Sequence, residues 1–438
     1  MTPVINISKI KTLKLIIFLY YFFAFAISYH TVVGINTLII PTLYDLGRIF
    51  GTLGFSGIIL QMILSSRINI LEKGVGLDRL SRWHKSNSRA AFSFILLHPF
   101  LLFFIFIKQF NFDFLKNLTF YEWLGIIALL LLIIFVSFTV FSNRLNIKYE
   151  TWKLTHKTAY IVILLAGVHI FMVRGGIYYK KPLFYWWILV ILLAAITLFL
   201  KYSTKKRRIF KITDIISETQ NTRTVKLEPA DNKNMFEYKP GQFAFITFLS
   251  GSLPKEQHPF TISSSPNGKF YTHTIKESGD FTNELGKLQI GDSAVVEGPY
   301  GVFSNYGLDG PFVFIAGGVG ITPLMSMIEF NASQPKKENI ILFNSVRTQN
   351  DIIFKDALNK LEKQGEWLRI VYIFSDEKSG ANYYGHINSG IITKELDYLE
   401  LYKYFICGPP NMMYKVKIEL IKLGVNKDKI FTEEFKLR

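Results

Sequence analysis

Six apolar runs crowd into the first 200 or so positions of this chain, at about residues 13–33, 46–65, 90–108, 121–141, 158–173 and 183–201. A helix needs about 20 apolar residues to cross a bilayer core, and lipid accepts only backbone that bonds to itself. The runs therefore predict an all-α bundle of six transmembrane helices. The fifth is short, and its span is expected to extend back through Trp152 and His156. Lys9, Lys11 and Lys14 ahead of Leu15–Ser28 mimic a signal peptide. No small-residue cleavage site follows, and the run leads into Tyr29-His30-Thr31-Val32-Val33, so it reads as a retained first span.

Lys and Arg in the short loops set the orientation. With the N-terminus inside, the inner segments hold three before Leu15, six from Arg67 to Arg89, four from Arg144 to Lys157 and five from Lys201 to Arg208. The outer loops hold six: Arg48, Lys108, Lys116, Arg174, Lys180 and Lys181. The expected location is the cell (plasma) membrane, multi-pass, with both termini cytoplasmic. Because these charges flank apolar runs, the net charge of +17 reads as a basic membrane face, with no nucleic-acid partner. Cys407 is the single cysteine. Intramolecular disulfides are impossible, and so are the all-thiolate sites of zinc and iron–sulfur proteins.

Polar groups at membrane depth are costly and usually functional. His84 and His98 lie 14 residues apart on the third span, and His156 and His169 lie 13 apart on the fifth. Those spacings are about 21 and 20 Å along a helix. Both spans run from inside to outside, so His84 and His156 share an inner level while His98 and His169 share an outer one. Each level offers two imidazoles from two helices, the pattern of bis-histidine haem ligation in a bundle. One spacing is awkward. At ~100° per residue, 14 steps return to within ~40°, whereas 13 leave the rings ~140° apart. A bulge, kink or tilt is required, and Gly167 is one place for it. His30 has no partner at its depth and reads as an outer-interface residue. Phe92, midway between His84 and His98, fits a place between two haems but reads first as core packing. Arg48 fits a haem propionate, an anionic acceptor or interfacial anchoring, and the sequence leaves these open.

From Ile209 to about Leu308, short alternating strands with Gly and Pro turns predict a small antiparallel β-barrel. Thr224–Leu227 and Gln242–Thr247 are two of them. Within it, His258-Pro259-Phe260-Thr261-Ile262-Ser263-Ser264 offers a stiffened aromatic and a hydroxyl suited to a flavin edge. Gly279-Asp280-Phe281-Thr282-Asn283 offers backbone N–H groups and a hydroxyl suited to a pyrophosphate. From about Pro311 strands and helices alternate, predicting a Rossmann-like α/β domain. The strand Phe312–Ala316 runs into Gly317-Gly318-Val319-Gly320-Ile321-Thr322-Pro323 and a helix, where backbone can approach a dinucleotide. A second strand ends in Cys407-Gly408-Pro409-Pro410. The expected domains are 1–207, 208–308 and 309–438.

His-Pro-Phe-Thr, Gly-Pro-Tyr-Gly, Gly-Gly-Val-Gly-Ile-Thr-Pro and Cys-Gly-Pro-Pro resemble the ferredoxin-NADP reductase superfamily. Together with the six spans and four histidines, the whole chain resembles the NADPH oxidase and ferric reductase superfamily, closest to its bacterial NADPH oxidase-like members. The resemblance implies FAD, two b-type haems and NADPH as cofactors. It implies that His258 to Ser263, with His273 and Thr274, line the flavin, and that Gly279, Phe281 and Thr282 hold its phosphates. It places Gly317, Gly318, Gly320, Ile321, Thr322 and Pro323 on the dinucleotide. Thr261, Cys407 and Phe435 fall at the reacting centre, with Gly408 and Pro409 beside the nicotinamide. Phe435 matches an aromatic that covers the flavin, although Lys436-Leu437-Arg438 follow it here. Ser345 and Arg347 follow the strand Ile340–Phe343, where the resemblance favours a 2′-phosphate and hence NADPH over NADH.

The implied function carries electrons from cytoplasmic NADPH across the bilayer to dioxygen, giving superoxide, or to a ferric chelate. A quinone or a partner protein is a further acceptor, and no partner protein is required. A nucleotide-gated channel would leave the histidine pairs and the flavin motif without a role.

Overall fold

The computed structural model describes residues 7–33, 41–110, 118–142, 144–145, 147, 149–172, 182–203, 207–231, 236–266 and 268–433. It divides into two compact units. One comprises Ile7–Ile68 and Arg79–Thr204; the other comprises Asn69–Asp78 and Lys205–Arg438.

The first unit is helical: α1 (Ile7–Val33), α2 (Leu43–Leu64), α4 (Leu77–Phe110), α5 (Phe120–Phe141), α6 (Tyr149–His156), α7 (Ala159–Met172) and α8 (Pro182–Ser203). The short α3 (Asn69–Val75) between α2 and α4 belongs to the second unit. Six candidate spans follow: Lys9–Val32, Leu43–Leu64, Leu77–Ile105, Phe120–Phe141, Thr151–Met172 and Pro182–Ser203. Capping boxes fix two starts, Thr42 with Asp45 for α2 and Thr119 with Glu122 for α5. Outward faces are apolar, with Phe18 63% and Phe199 69% exposed, as lipid contact requires. Inward, Leu53, Phe55, Trp186, Trp187 and Val190 form a core of α2 and α8. Polar bonds stitch the helices. Trp186 Nε1 donates to Ser56 Oγ at 3.1 Å, and Tyr21 OH donates to Asn87 Oδ1 at 2.6 Å.

Two span expectations are refined. The third helix extends well beyond its apolar run at 90–108, as His84 on that span requires: α4 starts at Leu77, because the polar stretch Arg79–Arg89 continues the helix. The phase correction in the fifth span lies at Lys157–Thr158, not at Gly167, which sits inside unbroken α7. Four i→i−3 bonds tighten this turn: Lys157 to Leu154, Thr158 to Thr155, Tyr160 to Lys157 and Ile161 to Thr158. A 3₁₀ turn advances ~120° per residue against ~100°. About five such residues therefore add ~100° and cut the ~140° misfit to ~40°, the offset of the 14-residue pair.

The second unit holds two sheets. Six antiparallel strands run in the order β4-β3-β6-β1-β2-β5. They are β1 (Arg207–Thr219), β2 (Thr222–Pro229), β3 (Phe243–Leu249), β4 (His258–Thr261), β5 (Tyr271–Lys276) and β6 (Ser293–Tyr300), with α9 (Asp280–Asn283) after β5. Phe210, Leu227, Ile246, Phe248 and Tyr271 fill their core. The parallel sheet runs β10-β9-β8-β7-β11-β12. It comprises β7 (Phe312–Gly317), β8 (Ile340–Val346), β9 (Leu368–Phe374), β10 (Tyr383–Tyr384), β11 (Lys403–Cys407) and β12 (Ile430–Glu433). Between these strands run α10 (Ile321–Ala332), α11 (Lys355–Glu362), α12 (Ser389–Glu395) and α13 (Pro410–Lys422). Apolar clusters cover both faces of this sheet, as a parallel sheet demands. Its order reverses between β7 and β11, and ligands of such sheets bind at the carboxyl ends beside that reversal.

Candidate active site and histidine pairs

The switch point assembles the two Gly-rich segments. β7 ends at Gly317, and a 3₁₀ turn over Gly318–Gly320 leads into α10. Gly318 has φ +53°, a conformation glycine adopts without steric cost. A Cβ on Gly320 would lie 2.2 Å from the Cys407 carbonyl oxygen. A Cβ on Gly317 would lie 2.7 Å from both Met412 Sδ and Pro409 Cδ. The strand ends thus meet backbone to backbone, with Gly408 beside Gly317. Ile321, Thr322 and Pro323 are buried in the first turn of α10. Thr322 Oγ1 donates to Val319 O at 3.0 Å. Cys407 is fully buried, and its Sγ donates to Glu433 O at 3.6 Å. Burial pushes its thiol well up, which suits packing and not nucleophilic attack.

In the barrel, His258, Pro259, Phe260 and Thr261 form β4. His258 stacks on Phe281 at 4.1 Å and its Nε2 lies 3.0 Å from Glu256 Oε2. Ser263, after β4 and buried Ile262, lies 3.1 Å from Thr274 Oγ1 and 2.9 Å from Thr272 Oγ1. Buried His273 donates from Nδ1 to Thr261 O at 2.9 Å. Burial lowers its imidazole to about 4, so it is neutral at pH 7. The Thr282 hydroxyl is engaged locally. It accepts from Ser278 N and Gly279 N, both at 2.9 Å, and donates to Gly279 O at 3.1 Å. Ser345 lies in the last residues of β8 and Arg347 directly after it, and Arg347 Nε is 3.0 Å from Asp376 Oδ2. Phe435 lies outside the described residues.

Sequence reasoning missed Glu72. Its carboxylate, on α3 and 1% exposed, accepts from Gly301 N at 2.5 Å. Burial raises its carboxyl to about 7, against the Gly301 hydrogen bond and the Lys73 charge, which lower it. Nearby Glu433 is pushed well up, by burial first and then by the charges of Asp78 and Glu72. Below about pH 4.5, folded and unfolded Glu72 are both protonated. From there to about 7 only the folded form keeps its proton, so stability falls as pH rises and then levels. That shift amounts to ~3 kcal/mol. Glu72→Gln is therefore expected to protect segment 69–78 from hydrogen exchange more than wild type at pH 8 and equally at pH 4. Equal protection at both would refute the assignment.

The histidines pair by level. His84 and His156 have ring centroids 6.4 Å apart, and so do His98 and His169. At the pair expected on the outer side, His98 Nδ1 is 2.8 Å from Gly47 O and His169 Nδ1 is 2.9 Å from Tyr121 O. A carbonyl only accepts, so each ring carries a proton on Nδ1, which in the neutral imidazole leaves the lone pair on Nε2. At the inner pair both Nδ1 atoms are buried without a hydrogen bond among the described residues. His156 packs instead against Trp152 at 4.9 Å and Phe135 at 5.1 Å. Arg48 lies over the Tyr44 ring at 5.8 Å, and His30 is exposed. Among the described residues no three His, Cys, Asp or Glu side chains converge as a metal group.

Comparison with known proteins matches residues 50–167 to the ferric reductase like transmembrane component, 209–304 to an FAD-binding domain and 314–417 to an oxidoreductase NAD-binding domain. The chain has the NADPH oxidase and ferric reductase architecture. It is therefore a multi-pass membrane protein built from oxidoreductase modules. Its first matched stretch holds His84, His98 and His156, and its last holds Gly317–Pro323 and Cys407. The xylene/toluene monooxygenase electron transfer component XylA of Pseudomonas putida is 26% identical over 217 residues, 48% of this chain and 61% of that protein. The glycine betaine monooxygenase reductase subunit of Chromohalobacter salexigens is 31% identical over 244 residues, 53% of this chain and 65% of that protein. The chain thus spans 61% and 65% of these curated relatives. A crystal structure of flavohemoglobin from Malassezia yamatoensis with bound FAD and heme aligns with 94% of this chain and 99% of its own, at TM-score 0.53 and 20% identity. That likeness is one of fold.

Proposed function

We propose that this chain conducts electrons from cytoplasmic NADPH, through FAD and two b-type haems, to an acceptor beyond the plasma membrane. The leading acceptor is dioxygen, giving superoxide. The observation that carries the reading is the pair of equal 6.4 Å ring separations. Two imidazoles sharing one iron, each with a nitrogen about 2 Å from it, stand with ring centres ~6 Å apart. His84 and His156 would hold the inner haem, and His98 and His169 the outer. When bound, flavin supplies hydride uptake and single-electron release, and haem iron supplies single-electron carriage. The protein's part is positional. The glycine contacts at Gly317, Gly320 and Gly408 keep backbone N–H groups open to a dinucleotide. Thr261 and Cys407 shape the reacting centre, and neutral His273 braces the Thr261 backbone.

Purified in detergent with FAD and haem, the chain should show a b-type Soret band that NADPH reduces. Cytochrome c reduction sensitive to superoxide dismutase marks oxygen as acceptor. A colourless protein refutes the reading. The match to a ferric reductase like component favours a second reading, reduction of a ferric chelate. Rapid ferric reduction with no superoxide signal selects it.

Nucleotide choice turns on Arg347. Its guanidinium already faces Asp376, so a 2′-phosphate must compete with that carboxylate. A charge-assisted bond contributes about 1.5–3 kcal/mol. Arg347→Ala is thus expected to weaken NADPH binding about 10- to 100-fold and leave NADH unchanged. Asp376→Asn should shift preference toward NADPH. Equal NADPH and NADH affinities in wild type would overturn the assignment.

A further inference from the structure

The outer histidines rest on a device that occurs twice. On α2, Gly47 O accepts from His98 Nδ1, and one turn later a Cβ on Gly51 would lie 2.8 Å from that nitrogen. On α5, Tyr121 O accepts from His169 Nδ1, and one turn later a Cβ on Gly125 would lie 2.6 Å from it. Each seat is a helix carbonyl at position i with glycine at i+4. That carbonyl already accepts the i+4 N–H. A side chain at i+4 would occupy the space in which the ring approaches the same oxygen. The inner pair lacks the glycine: the Gln61 backbone on α2 faces the His84 ring but Ser65 stands one turn after it, and the Nδ1 atoms of His84 and His156 make no full hydrogen bond among the described residues.

We infer that Gly51 and Gly125 are positioning residues that seat the His98 and His169 rings on their carbonyls and so prepare the outer haem site alone. The inference rests on the di-haem reading above. A methyl group at either position displaces the ring from its carbonyl, and the Nδ1–H that fixes tautomer and orientation loses its acceptor. Loss of such an orienting bond typically costs 10- to 100-fold in metal affinity.

The test counts haem in the full chain purified in detergent, by pyridine haemochrome against FAD, and titrates the potential of the b-type bands. Wild type should hold two haems per FAD. Gly51→Ala and Gly125→Ala should each hold one, lose the same potentiometric wave, and keep FAD. Two controls separate ring seating from helix packing. Gly167→Ala lies on the His169 helix with only Phe55 near, at 4.0 Å, and should keep both haems. Gly54→Ala would strike Ile95 Cγ1 at 2.5 Å without touching a ring, and should not lose that one wave selectively. Two unchanged waves in both seat variants would overturn the inference. So would loss of both haems together, or a Gly54→Ala result identical to Gly51→Ala. A wild type without haem would instead refute the electron-transfer reading.

Discussion

His98→Ala is expected to cut electron delivery to the external acceptor by at least ~100-fold while NADPH-dependent ferricyanide reduction changes little. Loss of an outer ligand exceeds loss of an orienting bond, which alone costs 10- to 100-fold. The outer site has two imidazoles, 6.4 Å apart, and neither can be replaced by a third protein ligand among the described residues. Haem content should fall from two to one, and His169→Ala should give the same spectrum, because one iron needs both rings. The second unit contains none of these groups, so its reaction with a dye should persist. His30→Ala, at an exposed position near the end of α1, should leave both haems in place. Full external activity in His98→Ala would remove the outer pair from the electron path.

Gly320→Ala should abolish NAD(P)H-dependent flavin reduction and spare FAD binding and the haems. The added Cβ would sit 2.2 Å from the Cys407 carbonyl oxygen. Backbone, not a flexible side-chain end, must then move. Overpacking costs about 1–3 kcal/mol where side chains can yield, and here the ends of β7 and β11 must part. Affinity for the nucleotide should drop by at least ~100-fold, given that 1.4 kcal/mol is tenfold. Gly318→Ala is the control. Its Cβ would meet nothing within 4 Å, so only φ +53° opposes it, at about 1–2 kcal/mol. Dithionite-driven flavin reduction, compared with NADPH-driven reduction, isolates the nucleotide step. Equal NADPH reduction in both variants would show that the strand ends can part without consequence.

Much of this protein was legible in the chain itself. Six apolar runs, the short fifth extended back through Trp152 and His156, called for six helices, because lipid leaves backbone no other partner. Alternating strands, then strand–helix repeats, required an antiparallel sheet before a parallel one. The Gly-Gly-Val-Gly turn and the Cys-Gly-Pro-Pro segment marked two strand ends, and the structure brought them together. Depth pairing of the histidines followed from spacing, since 1.5 Å per residue converts sequence into height.

Azimuth did not follow. The 13-residue spacing of His156 and His169 reads as a misfit until the turn at Lys157–Thr158 is seen, and a 3₁₀ bond carries no apolar signature. The seats at Gly51 and Gly125 were equally silent. A glycine in an apolar helix gives no sign of which ring it faces. Glu72 gave no signal in the sequence, and only packing buried it against Gly301. Asp376 became relevant to Arg347 because β8 and β9 are neighbours in space. Height along a helix and alternation along a strand are local properties, and sequence determined them. Which side chain fills the gap between two elements is a property of both at once, and the tertiary structure alone decided it.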